Sequence, residues 1–133
     1  NAGVITAEEF AVFQNAGYMG LYGGMTVDDI HRKKNLEVGQ KILDYMGSTE
    51  LIANLFRISQ TEEKLRKDRI SNSDSASAVH YKVGSEVREA IEKIGGTMPE
   101  DLPTPEKSIA QLEKEQLQRL KQQALDGQLM LDE

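Results

Sequence analysis

His31 and His80 are the residues best suited to move a proton near neutral pH or to hold a metal. Asp28 precedes His31 by one helical turn, which puts both on one face. A lone Asp/His pair without further ligands makes a poor metal site, and His31 reads better as part of a charged, solvated helix end. His80 follows Val79 at the edge of an apolar stripe, the setting of a buried or half-buried structural imidazole. The serines of SNSDSAS, residues 71–77, have no base beside them. GYMGLYGGMT, residues 17–26, is glycine-rich but lacks the lysine of a phosphate-binding loop and follows no strand signal. The carboxylates fall in helix-surface pairs, Glu62 with Arg66 and Glu63 with Lys67. No catalytic constellation emerges. The expectation is a non-enzymatic chain with no cofactor and no metal.

Recognition chemistry leaves two candidates. ELIANLFRISQTEEKL, residues 50–65, carries Ala53, Ile58 and Ser59 as a helix-turn-helix would. The tight turn of that motif wants glycine where Arg57 stands, and its second helix needs apolar residues where Glu63 and Arg66 stand. Burying two such charges without partners costs several kcal/mol, so one continuous helix is the better reading. Basic clusters are the second candidate. His31, Arg32, Lys33 and Lys34 form one, and Lys64, Arg66, Lys67 and Arg69 another, offset by Glu62, Glu63 and Asp68. Such runs are usually solvated faces. Brought together in space they would make a small anion-facing patch, and these eight side chains are the candidate partner-contact residues.

The elements that must position these groups are helical. Thr6 with Glu9 predicts a capping box and a helix over about 7–16, followed by an irregular glycine turn whose aromatics pack inward. Thr26 with Asp29 caps a short helix over 27–34. Leu36, Val38, Ile42, Tyr45 and Met46 suit a helix closed by Gly47, and Ser48 caps the next. Leu51, Leu55, Ile58 and Leu65, widened by Ile52 and Phe56, predict a long helix to about Arg69 with its apolar side hidden. Residues 71–77 read as a polar loop. Val79, Val83, Val87, Ala90 and Ile94 mark one face of a helix ending at Gly95, with Gly84 inside it pointing to close packing or a kink. TMPEDLPTPE is a proline-stiffened connector, with Thr104 and Pro105 opening a last helix. That helix carries Ile109, Leu112, Leu117, Leu120 and Ala124 on one side, without a sustained heptad. The sum is an all-α, compact multi-helix domain of five or six helices, with one long central helix and a C-terminal amphipathic helix. Its expected organisation is a tag remnant at 1–2, a core over 3–98, a connector over 99–105, a helix over 106–126 packing on the core or on a second subunit, and a tail over 127–133.

Composition narrows the partners. The 133 residues are 38% hydrophobic, with no Trp and three Phe, so the core is modest for the length. Twenty-two acidic against 16 basic residues give a net charge of −6, a field that repels phosphate backbones. There is no cysteine, and no apolar run approaches the roughly 20 residues of a spanning helix, so no membrane partner is expected. The opening Asn1-Ala2 suggests a piece of a longer protein.

The strings FAVFQNAGYMGLYGG, IHRKKNL, KILDYMGSTELIANLFRISQTEEKLRKD and IGGTMPEDLPTPEKSIAQLE occur in that order. In sequence and spacing they resemble the C-terminal region of the DNA-damage-inducible protein D family, which is bacterial and phage-borne. The resemblance runs from about Thr6 to Glu113; the 71–81 stretch and the residues after Lys114 diverge. Members are similar to phage antirepressors in carrying an N-terminal Bro-N type domain. The resemblance implies a cytoplasmic protein of the SOS response, expressed when LexA repression lifts, that contacts the RecA recombinase filament and limits strand exchange. It implies no enzyme and assigns no RecA-facing residues. The alternative is a DNA-binding or antirepressor-type transcriptional regulatory domain, although direct DNA binding by this chain is disfavoured by its charge. A homodimer through the C-terminal helix is a further expectation.

Overall fold

The computed structural model describes residues 5–106 and 108–131. Asn1 and Ala2, read above as a tag remnant, lie outside the described residues, as do Asp132 and Glu133 of the tail. The described chain is all-α, with α1 over Ala7–Leu21, α2 over Val27–Lys33, α3 over Ser48–Lys67, α4 over Ser73–Ile94 and α5 over Ile109–Leu131. Short 3-10 turns lie at Ile42–Asp44 and Pro99–Asp101. Among the described residues no helix is long and apolar enough to cross a membrane.

Local signals set most of the helix starts. Thr6 and Glu9 form a complete capping box on α1, and Thr26 and Asp29 one on α2. Asn15 accepts from the Val27 amide at 2.9 Å, which ties the start of α2 to the flank of α1. The first helix does not stop at Ala16 as expected. It runs through Gly17 and Gly20, because these lie where α1 crosses α4. A Cβ at Gly84 would sit 2.8 Å from both the Gly17 carbonyl oxygen and the Leu21 amide nitrogen, so the two backbones touch there. The irregular turn shrinks to Gly23 and Gly24, both at positive φ.

Four other expectations change. Residues 36–46 form no helix beyond the 3-10 turn, and Val38 is fully exposed. Gly47, not Ser48, is the N-cap of α3. The polar stretch 71–77 is no loop: Asn72 accepts from the Ser75 amide at 2.8 Å and α4 starts at Ser73. Thr104 and Pro105 do not open the last helix. Ser108 does, accepting from the Gln111 amide at 3.1 Å, and α5 continues through Gly127 into the expected tail.

The main packing is α1 against α4, then α3 against α4. Tyr18, Leu21, Tyr22, Ile30, Ile42, Met46 and Val87 form the core, with Leu36, Leu51, Val83 and Ile91 against it. α5 shares no comparable packing with any other helix. Its Leu112, Leu117, Leu120 and Leu125 are exposed.

Candidate functional site

α3 is unbroken across position 57, so the reading of one continuous helix holds. The face it hides is not the expected one. Its fully buried residues are Glu50, Asn54, Arg57 and Thr61, a polar set at helical spacing. Ile52, Leu55 and Phe56 are half or more exposed, at 66%, 50% and 53%.

The buried polar set closes on itself. Lys34 Nζ donates to Glu50 Oε1 at 3.0 Å and to the carbonyls of Pro99 and Leu102 at 2.8 and 2.6 Å. The Tyr22 hydroxyl donates to the other Glu50 oxygen, and burial together with that carboxylate pushes its pKa up. Asn54 donates to Tyr22 Oη at 3.1 Å and accepts from Arg57 Nε at 3.0 Å. The Arg57 guanidinium lies 4.3 Å from the Tyr18 ring centroid, and its Nη1 is 2.7 Å from His80 Nε2. His80 Nδ1 is 2.9 Å from the Phe13 carbonyl oxygen. Since arginine only donates, Nε2 accepts and the imidazole proton sits on Nδ1. Burial, then the neighbouring Arg57 charge, lowers the His80 pKa from 6.5 to about 4. This chain of groups joins α1, α3, α4 and the connector. Satisfied and shut from solvent, it is a structural network.

The eight basic candidates divide differently from expectation. Lys34 is removed from any partner-facing set, because it is buried against Glu50. Arg32 pairs with Asp29, and Lys33 lies 3.7 Å from Asp101. Lys64 pairs with Asp68 at 2.6 Å and Arg66 with Glu63 at 3.1 Å. His31 is half-buried, while Lys67 and Arg69 are exposed. The two clusters do not meet. Lys34 binds Glu50 in the first turn of α3, and Lys64 lies further along that helix by about 21 Å at 1.5 Å per residue. Among the described residues no group of three or more His, Cys, Asp or Glu is placed to hold a metal.

One surface with a distinct chemistry is apolar. A groove of about 370 Å³ runs between α3 and α4, lined by Ile52, Phe56, Val87, Ile91, Ile94 and Leu102 among others. A second hollow of about 400 Å³ shares Phe56, Val87 and Ala90 with it and ends at Glu63, Lys64 and Lys67. Together they form one trough along the helix pair, greasy at one end and charged at the other. Ile94 stands 83% exposed on its rim. An apolar trough between two helices is the shape that accepts an amphipathic helix. The residue pattern held a trace of it: Ile52 beside Leu51 and Phe56 beside Leu55 make the apolar stripe wider than one buried face requires.

The family model described as the DinD C-terminal domain matches residues 1–112. A curated relative, DNA damage-inducible protein D of Escherichia coli (strain K12), is 59% identical over 112 residues, covering 84% of this chain and 41% of that protein. This chain thus spans well under half of its relative's length. No solved structure matches. A family model that covers most of the chain, and a relative of such identity, leave one conclusion: the chain belongs to the family of DinD C-terminal domains.

Proposed function

We propose that this domain is a non-enzymatic regulatory module of the bacterial DNA-damage response that works by gripping another protein, the RecA filament being the partner. The observation that carries the reading is the trough between α3 and α4. Ile52, Phe56 and Ile94 stay in water there although the same helices bury polar groups on their other sides. Exposed apolar surface of this kind marks protein contact sites. The relative's name supplies the damage response, and the family resemblance supplies the filament. A cytoplasmic setting follows from the same reading.

Direct DNA recognition has less support. The helix that would have been split into a reading motif is one rod, and two of the four cations at its end, Lys64 and Arg66, already face carboxylates. With a net charge of −6 the domain offers little counterion release to a duplex. Capture of RecA by the immobilised domain, with and without single-stranded DNA, tests the proposal. Retention of RecA that Phe56→Ser with Ile52→Ser abolishes supports it. Retention unaffected by those changes, or none, contradicts it.

A further inference from the structure

We infer that Arg88, which lines no part of the apolar groove, is the positioning residue for its third wall: by gripping Glu100 it holds the connector stretch 97–102 against the α3/α4 pair. α3 supplies Ile52 and Phe56 to the groove and α4 supplies Val87 and Ile91, while Thr97, Pro99 and Leu102 come from the connector. With the grip in place the groove is closed on the connector side. Without it the groove opens there. What that means for a partner rests on the trough being the docking surface; the state of the wall itself does not.

Local structure brings the chain to this place but fastens it weakly. Gly95, at φ 87, ends α4 in the left-handed conformation and turns the chain. A Cβ there would meet nothing within 4 Å, so the turn is not packed. Pro99–Asp101 is a single 3-10 turn, which holds little by itself. On the far side, α5 shares no comparable packing with the other helices and gives the connector little anchorage.

The fastening comes from cations on the body. Arg88 Nη1 and Nη2 donate to the two Glu100 carboxylate oxygens, each at 2.8 Å, a paired geometry that fixes orientation as well as distance. Nη1 also donates to the Leu21 carbonyl at 3.1 Å, so the guanidinium is tied to the end of α1 as it reaches the connector. Gly23 leaves the room for it: a Cβ there would lie 2.9 Å from Arg88 Cζ. The Arg88 and Glu100 side chains are 24% and 16% exposed, which limits screening by solvent. Lys33 and Asp101, 3.7 Å apart at 50% and 57% exposure, add little. Lys34 holds the Pro99 and Leu102 carbonyls at 2.8 and 2.6 Å, but the same ammonium serves Glu50 inside the buried network. The Arg88–Glu100 pair is thus the tie that can be cut without opening the core.

Amide hydrogen exchange of the full chain, resolved by residue with NMR, is the test. The Asp101 and Leu102 amides donate to the Met98 and Pro99 carbonyls at 2.9 and 3.3 Å and should be protected in the wild type. Arg88→Met and, separately, Glu100→Gln should each cut that protection about tenfold or more, the scale of losing hydrogen bonds between charged groups, while the amides of α1, α3 and α4 keep theirs. The double variant should be no looser than Arg88→Met alone, because both changes remove one contact. Methyl signals of Ile52 and Ile91 in the groove should move in both variants, and those of Ile30 and Ile42 in the core should stay. Glu100→Gln lies on the connector, outside the core, and keeps the test decisive if Arg88→Met fails to fold. Free exchange at 101 and 102 in the wild type overturns the inference. So does protection there that neither change reduces. So do variants whose helices loosen in step with the connector, and a double variant whose loss is the sum of the two. None of these readings involves RecA, so their failure leaves the proposed function standing, and a domain that captures no RecA leaves the wall standing.

Discussion

Arg57 is a cation held at 2% exposure with no carboxylate beside it. It is kept there by the Tyr18 ring, Asn54 Oδ1 and His80 Nε2, contributed by three different helices. Truncation to Ala strands the Asn54 and His80 acceptors and removes the charge. The expected loss is about 3–5 kcal/mol, the range for dismantling a buried charged cluster, read from urea unfolding. A loss within experimental error would mean that the network is dispensable. The same contact fixes a pH response. His80 is neutral in the fold with its pKa near 4, against 6.5 when free. Between those values the unfolded chain binds more protons than the folded one, so the contribution is full above pH 6.5 and declines as pH falls toward 4. His80→Gln, which can still accept from Arg57, should lose less stability than the wild type across that window; parallel curves would refute it. The sequence marks His80 as structural and Arg57 as wrong for a tight turn. It cannot say that the two touch, because their partners come from elements far apart in the chain.

At the scale of elements, glycine placement governs how α1 meets α4. Gly84→Ala gains helix propensity but drives a Cβ into the backbone of α1 at 2.8 Å. The expected net effect is a loss of about 1–3 kcal/mol, as for other overpacked sites. Gly127→Ala on α5 meets nothing within 4 Å and should raise helicity, worth roughly 0.5–1 kcal/mol locally. Thermal unfolding followed by circular dichroism separates the two; equal effects would show that the close approach carries no weight. Capping boxes made the starts of α1 and α2 legible, because both partners of each box are local. The start of α4 was not, since Ser, Asn and Asp favour loops until one of them is committed to a cap, as Asn72 is here. α3 was legible as a rod and misread in orientation. An apolar stripe signals a helix, but Glu50, Asn54 and Arg57 turn inward because Lys34, Tyr22 and His80 await them.

For the whole molecule, the decisive features are an apolar trough, a helix without comparable packing on the others, and exposed cations of which Arg32, Lys33, Lys64 and Arg66 are matched by carboxylates. Charge reversal at Arg32 and Arg66 should leave partner capture nearly unchanged, since both sit in exposed pairs with Asp29 and Glu63. An electrophoretic shift series should show only weak, salt-sensitive DNA binding, and tight binding by this domain alone would contradict the reading. The all-α class was readable from helical periodicity. The α3/α4 trough was not, because exposure depends on which neighbours a stripe fails to find. RecA capture by the wild-type domain and by Phe56→Ser with Ile52→Ser tests this most directly. The wild type should retain the filament and the substituted domain should lose it while keeping its helicity; equal retention by both would contradict the assignment of the trough as the working surface.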